Sequence, residues 1–121
     1  MIRWFHVFMS SCARPNLPDV VRRYFDAMNR HQIDAVVASF SPDATVEDQF
    51  GDHTGHVAIA AWLQDVTQRY EPTAIVLGVK SALTGLALRV SVSGRFPGSP
   101  VQLDFHFRLC AGKITKLTIE E

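Results

Sequence analysis

The sequence predicts an α+β fold in which three helices come first and a curved antiparallel sheet follows. Apolar residues recur at three- and four-residue spacing up to about Pro72 and at two-residue spacing beyond it. A chain of 121 residues, 47% of them hydrophobic, suits one domain with one core. We expect that domain to occupy residues 16–121, after an N-terminal extension of residues 1–15 that the Ala13–Asn16 stretch sets apart.

The first two predicted helices carry continuous apolar stripes. Asn16 is a suitable N-cap for the first helix, and Pro18 suits its first turn. The second helix should end at Ser41, because Pro42 disfavours helical geometry in the residue before it. The first stripe consists of Leu17, Val20, Val21, Tyr24, Phe25 and Met28, and the second of Ile33, Val36, Val37 and Phe40.

A strand and a third helix follow. Residues 44–50 alternate with period two, which places Asp48 on the apolar face with Val46 and Phe50. Residues 51–55 are predicted to form a loop. The third helix is predicted over residues 57–70, with Ile59, Trp62, Leu63, Val66 and Tyr70 on its buried side.

Beyond Pro72 the pattern predicts strands only. Gly-containing pairs supply the turns between them, among them Thr84-Gly85 and Ala111-Gly112. In the third of these strands Phe105 and Phe107 should point to the core, and Asp104 and His106 away from it. The strands are expected at residues 73–83, 86–96, 101–110 and 114–120.

Charge and cysteine content exclude several classes of protein. Lys+Arg and Asp+Glu number 12 each, so the net charge is zero, and nucleic-acid binding is not expected because phosphate contacts require clustered basic residues. No apolar run approaches the roughly 20 residues of a membrane-spanning helix. Two cysteines, Cys12 and Cys110, have neither the number of a disulfide scaffold nor zinc-site spacing. We therefore expect a cytoplasmic protein with reduced thiols that binds no membrane.

Asp48 and Tyr24 are the candidate catalytic residues. A carboxylate on an apolar face is costly, and such a group suits a general base. Alternatively, Asp48 only caps the following loop. Tyr24 lies on the first apolar stripe, where its ring is core material and its hydroxyl requires a partner. If Tyr24 serves only the core, its hydroxyl should bond to a backbone carbonyl. If Tyr24 belongs to a binding site, the partner of its hydroxyl should be the ligand.

The segment VVRRYFDAMNRHQIDAVVASFSPDATVEDQFG, followed by TGHVAIAAWL, resembles the N-terminal half of bacterial ketosteroid isomerases and the wider SnoaL-like, nuclear transport factor 2-like superfamily. The resemblance extends more loosely into FHFR and GKI. It implies a cystatin-like cone of curved sheet, closed by helices around a deep apolar pocket. It also implies that Tyr24 donates to a developing enolate oxygen and that Asp48 moves the proton.

The sequence departs from the isomerases at two supporting positions. Phe105 stands where they have a protonated Asp that serves as the second oxyanion donor, and the adjacent Asp104 belongs to the opposite face. Leu63 stands where they have a Tyr that supports the first one. Since loss of an oxyanion donor costs a few kcal/mol of transition-state stabilisation, steroid isomerisation is expected to be slow.

Two further patterns resemble known kinds of site. His53 and His56 form a His-x-x-His pair without a third ligand, so no metal is expected, although His53 could reach the pocket mouth. Arg89 alternates with Leu88 and Val90 and should point outward, which excludes the Asp-Arg-Asp arrangement of limonene epoxide hydrolases.

Two functional hypotheses follow. The first is an isomerase- or cyclase-type enzyme that binds a small hydrophobic carbonyl compound, without a cofactor, and transfers protons through Asp48 and Tyr24. Its substrate-binding residues would be Phe50, Trp62, Phe105, Phe107 and His53. The second is a non-catalytic ligand-binding or dimerisation module of the same fold. In either case we expect a homodimer formed through the outer sheet face, where Leu117 and Ile119 are expected beside Ala87.

Overall fold

The computed structural model describes residues 17–82 and 85–121. The predicted extension of residues 1–15, the Asn16 cap and the first residue of the Thr84-Gly85 turn lie outside these ranges. Within them the predicted α+β fold is confirmed, with a six-stranded curved sheet. In chain order the elements are α1 Asp19–Asn29, α2 Ile33–Ala38, β1 Phe40–Asp48, β2 Gly51–Thr54, α3 His56–Tyr70, β3 Thr73–Ala82, β4 Gly85–Ser93, β5 Val101–Cys110 and β6 Lys113–Glu120.

Several element boundaries differ from the prediction, among them the end of β4, which is Ser93 rather than residue 96. α1 begins at Asp19, with Pro18 as the N-cap residue, and the Pro18 carbonyl accepts the first helical hydrogen bonds. α2 ends at Ala38 rather than Ser41, because Phe40 already belongs to β1. The predicted loop at residues 51–55 contains a short strand, β2, which pairs antiparallel with β1.

The sheet has the strand order β2-β1-β6-β5-β4-β3. Neighbouring strands run antiparallel except for β1 and β6, which are parallel. The antiparallel meander predicted for β3 to β6 is therefore confirmed, and β1 joins it through a long-range parallel pairing. The turn between β5 and β6 is the predicted Ala111-Gly112 pair, and both residues have positive φ, as a two-residue hairpin turn requires.

Leu117 and Ile119 face the core, so the prediction that they lie on the outer face is wrong. Leu117 is fully buried opposite Phe107, and Ile119 lies opposite Phe105. The reason is a register shift between β5 and β6 that leaves Thr115 without a partner residue. An extra residue of this kind reverses the alternation, so inward positions change from even to odd along β6.

The outer face, by which we mean the sheet surface opposite the helices, carries charged cross-strand pairs as well as the exposed Ile75. Arg89 and Asp104 both lie on it, as predicted, and form an ion pair at 3.3 Å between Nε and Oδ1. Glu47 and Lys116 form a second pair at 3.2 Å. Charged cross-strand pairs of this type are compatible with contact with water. The apolar side chains that motivated a dimer through this face are thus in the core, and the dimer itself stays a prediction.

Candidate functional site

Asp48 is the last residue of β1 and keeps its carboxylate largely out of solvent. It follows Val46 on the core face, and 11% of its side chain is exposed. Oδ1 accepts a hydrogen bond from the Phe50 backbone N–H at 2.9 Å, which is the Asx-turn arrangement. Oδ2 accepts a hydrogen bond from Trp62 Nε1 at 2.8 Å. Both oxygens are therefore paired, and the carboxylate is held in one orientation.

Both interpretations of Asp48 from the sequence describe part of what is observed. Its Oδ1 caps the turn after β1, as the structural alternative holds. The same turn reverses the chain at residues 49 and 50, so the prediction that the strand continues inward to Phe50 is wrong. The Phe50 side chain is 75% exposed. The carboxylate nevertheless points to the inner side of the sheet, where it meets α3.

His53 completes a group of three side chains with Asp48 and Trp62. It lies opposite Val46 in the β1–β2 pairing, and cross-strand partners point to the same side of a sheet. Its ring stacks on that of Trp62, with centroids 5.7 Å apart and planes at 27°. Its Nε2 lies 3.7 Å from Asp48 Oδ1, which is too far for a hydrogen bond. This Nε2 is buried and has no hydrogen-bond partner among the residues described.

Tyr24 belongs to an aromatic cluster in the core. Its ring makes edge contacts with Phe25, Phe40 and Phe107, with centroid distances of 5.0, 5.9 and 5.5 Å. Phe105 joins the cluster through Phe25 at 5.6 Å. Burial raises the pKa of the Tyr24 hydroxyl above its usual value, because the phenolate would be desolvated. The hydroxyl is therefore neutral and able to donate a hydrogen bond at any physiological pH.

The predicted site residues thus fall into two groups and one separate residue. The first group is Asp48, His53 and Trp62, and the second is Tyr24, Phe105 and Phe107. Phe50 is joined to the first group by a hydrogen bond from its backbone N–H, while its side chain is exposed. In residues 17–82 and 85–121 no recorded hydrogen bond, ion pair or ring contact joins the two groups, although Trp62 and the second group share one apolar core.

Sequence reasoning did not predict the bond between Trp62 and Asp48. It assigned Trp62 a place in the substrate pocket, whereas the indole N–H is used to hold the carboxylate. A signal was available. A Trp on the buried side of a helix requires an acceptor for its N–H, and Asp48 was the inward acceptor already identified.

Two surface hollows are described, and neither contains residues of these groups. One lies between the start of α1 and the β5–β6 turn, and the other is lined by α1, α2 and Lys113. The described part of the chain contains no set of three or more His, Cys, Asp or Glu residues arranged to hold a metal ion. None of its helices is long and apolar enough to cross a membrane.

The sequence and the fold of this chain are similar to those of known proteins. The sequence profile of the SnoaL-like domain matches residues 21–117. A structure of a candidate polyketide cyclase from Sinorhizobium meliloti is 40% identical, with a TM-score of 0.82 over 86% of this chain and 95% of that one. No curated protein sequence is detectably similar.

Two more distant structures share the fold. A protein from Catenulispora acidiphila with a ketosteroid isomerase-like fold, solved with trimethylamine, is 18% identical, with a TM-score of 0.77 over 88% of this chain and 87% of that one. The epoxide hydrolase/cyclase-like enzyme SalBIII, of polyether salinomycin pyran-ring formation, is 20% identical, with a TM-score of 0.73 over 84% and 87%. The profile match covers most of the chain and the 40% identity extends over nearly all of the related structure, so the protein belongs to the SnoaL-like domain family.

Proposed function

We propose that this protein is a cofactor-independent enzyme of the cyclase or isomerase type that acts on a small hydrophobic carbonyl compound. Asp48 is the general base, and Tyr24 is the hydrogen-bond donor to the carbonyl oxygen. The observation that carries the proposal is the Asp48 carboxylate, which is 11% exposed on the inner side of the sheet and held by Trp62 Nε1 at 2.8 Å.

The chemistry requires one proton to move without a redox change. Asp48 removes a proton from the carbon next to the carbonyl, so that the C–H bond breaks and an O–H bond forms on the carboxylate. The electron pair shifts to give an enolate, whose oxygen is stabilised by the neutral Tyr24 hydroxyl. The enolate then either regains the proton from Asp48 at another carbon, which is isomerisation, or attacks a second carbonyl of the same molecule, which is cyclisation. In the second case a C–C bond forms, the C=O electron pair goes to the oxygen, and the resulting alkoxide takes the proton from Asp48.

The remaining predicted residues have proposed roles in binding. Phe105 and Phe107 would contact the hydrocarbon part of the substrate, because both belong to the aromatic cluster around Tyr24. The exposed Phe50 would cover the substrate from the β1–β2 turn. Family membership supports this class of substrate, since the 40% identical structure is that of a candidate polyketide cyclase.

The test is α-proton exchange of a permissive ketone. 2-Tetralone has acidic α-protons because its aromatic ring stabilises the enolate, so it requires little help from oxyanion donors. We expect the wild type to accelerate incorporation of deuterium from D₂O, followed by NMR, and Asp48→Asn to lose at least about a hundredfold of that acceleration. Asp52→Asn is the matched control, because Asp52 is an exposed residue of the neighbouring strand and carries the same charge.

A non-catalytic binding module is the second candidate, and Phe105 favours it by replacing a donor with a hydrocarbon side chain. Thermal shift with 2-tetralone separates the two, because a ligand at a hundred times its Kd stabilises the native state by about 2.7 kcal/mol. Stabilisation without exchange would support the binding module. Exchange that survives Asp48→Asn would contradict the assignment of the base.

A further inference from the structure

The buried Nε2 of His53 is the one described buried side-chain nitrogen or oxygen that lacks a hydrogen-bond partner. Its nearest carboxylate oxygen is Asp48 Oδ1 at 3.7 Å. Buried polar atoms are rarely left unpaired in folded proteins, because an unmade hydrogen bond is not replaced by water. The separation therefore requires an explanation from the chemistry of the two groups.

Trp62 fixes both members of the pair. Its Nε1 donates to Asp48 Oδ2, and its ring stacks on the His53 imidazole. The second hydrogen bond to the carboxylate comes from the Phe50 backbone N–H at Oδ1. Two donors thus pair with the carboxylate without His53, and the 3.7 Å separation is longer than a hydrogen bond.

We propose that His53 Nε2 accepts a hydrogen bond from Asp48 once the Asp48 carboxylate has taken a proton from the substrate. In the resting state the imidazole is neutral, with its proton on Nδ1, so an Nε2 lone pair faces a carboxylate and no hydrogen bond forms. When Asp48 becomes a carboxylic acid, its new O–H at Oδ1 donates to Nε2. His53 is then a positioning residue that acts through the base, and this role rests on the proposed function.

The bond changes balance within the two groups and the substrate. The α C–H bond breaks, an O–H bond forms at Asp48 Oδ1, and the C–H electron pair goes to the enolate. The proton remains on the oxygen, and the hydrogen bond to Nε2 forms around it. Because this hydrogen bond exists only after proton transfer, it stabilises the intermediate without stabilising the resting enzyme, which is the condition for a gain in rate.

Asp48→Asn provides a test that does not depend on activity, because an Asn amide whose oxygen accepts from Trp62 presents an N–H donor to His53 Nε2, as the protonated carboxyl group would. The amide gives up the hydrogen bond from the Phe50 N–H, and this loss is the same with and without His53. The first measurement is ¹⁵N NMR of the histidine rings. We expect Nε2 of His53 to be unprotonated in the wild type and to show an accepted hydrogen bond in Asp48→Asn. The exposed His106 of the outer face serves as an internal control and should not change.

The second measurement is a double-mutant cycle of unfolding by urea. His53→Phe keeps an aromatic ring on Trp62 and removes both nitrogens. The cycle compares the change that Asp48→Asn makes in the folding equilibrium constant in two backgrounds, one with His53 and one with His53→Phe. We expect the change to be about fivefold more favourable to the folded state when His53 is present. His106→Phe in place of His53→Phe is the matched control and should show no coupling.

The third measurement connects the pair to catalysis. In the 2-tetralone exchange assay, His53→Phe should lower kcat by about tenfold and leave KM unchanged. If the wild type does not exchange the α-protons of 2-tetralone, the proposed function is contradicted. The NMR spectrum and the unfolding cycle still test whether a donor at position 48 forms a hydrogen bond to His53 Nε2. A proton on Nε2 that donates to Asp48 in the wild type, or no coupling in the cycle, would overturn the inference.

Discussion

The burial of Tyr24 predicts a specific loss of stability at alkaline pH. Its side chain is 1% exposed, and burial raises the pKa of its hydroxyl by desolvation. In the unfolded chain the same group ionises near its ordinary value of about 10. Above pH 10 the unfolded state therefore loses a proton that the folded state keeps. The free energy of unfolding has its full value below pH 10 and falls as the pH rises above it.

The magnitude follows from the ionisation of the unfolded chain alone. With the folded hydroxyl still protonated, ionisation of the unfolded state removes about 1.4 kcal/mol of unfolding free energy at pH 11, and almost nothing at pH 8. Tyr24→Phe cannot show this loss, because it has no group to ionise in either state. The free energy of unfolding of the wild type should therefore fall relative to that of Tyr24→Phe by about that amount between pH 8 and pH 11.

The assay is urea denaturation followed by circular dichroism at pH 8, 10 and 11. Tyr70→Phe is the matched control, because Tyr70 is the other tyrosine and is only partly buried at the end of α3. It should follow the wild type more closely than Tyr24→Phe does. Parallel curves for the wild type and Tyr24→Phe up to pH 11 would show that the hydroxyl ionises freely in the folded state and would refute the description of Tyr24 as a permanently neutral donor.

Four further predictions concern the site, the sheet and the assembly. Trp62→Phe removes the hydrogen bond to Asp48 and should lower the unfolding free energy by about 2 kcal/mol or more by urea titration, and an unchanged value would mean that water replaces the indole N–H. Steroid isomerisation of a 5-ene-3-ketosteroid by the wild type should be slow and should increase in Phe105→Asp if the new carboxyl stays protonated; efficient turnover by the wild type would contradict the assigned loss of a donor. Gly85→Ala should fail to fold or lose several kcal/mol in thermal denaturation, because a Cβ there would lie 1.9 Å from the Phe107 carbonyl oxygen; near-wild-type stability would contradict this backbone contact. Light scattering at micromolar concentration should give twice the chain mass of 13.5 kDa, and a monomer mass would refute the predicted homodimer.

Sequence patterns predicted the elements that carry their own periodicity. The apolar stripes of α1 and α3 determine a helix locally, and the Ala111-Gly112 turn is specified by two residues. The strand β2 has no such pattern, since Gly51–Thr54 contains no aliphatic side chain and none of Phe, Tyr or Trp. Its strand conformation comes from pairing with β1, which is a tertiary effect that a local pattern does not contain.

The wrong assignment of Leu117 and Ile119 has a similar physical origin. Strict alternation from the buried Ile114 places both on the outer face. One residue without a partner, Thr115, reverses the phase for the rest of β6. The backbone shift is visible only when β5 and β6 are paired, although the resulting burial of two large apolar side chains is what stabilises that pairing.

The site combines both kinds of information. Asp48 was identifiable because a carboxylate on an apolar face contradicts the local pattern, and such contradictions are frequent at functional positions. The contact with Trp62 could be inferred from a buried indole N–H that requires an acceptor, but that with His53 could not, because His53 reaches Asp48 from β2 after a turn that Asp48 itself forms with the Phe50 N–H. The residue that ends the strand thus also reverses the chain, which brings the imidazole to its own carboxylate. We therefore expect changes that disturb this turn to affect the Asp48–His53 geometry as strongly as changes in His53.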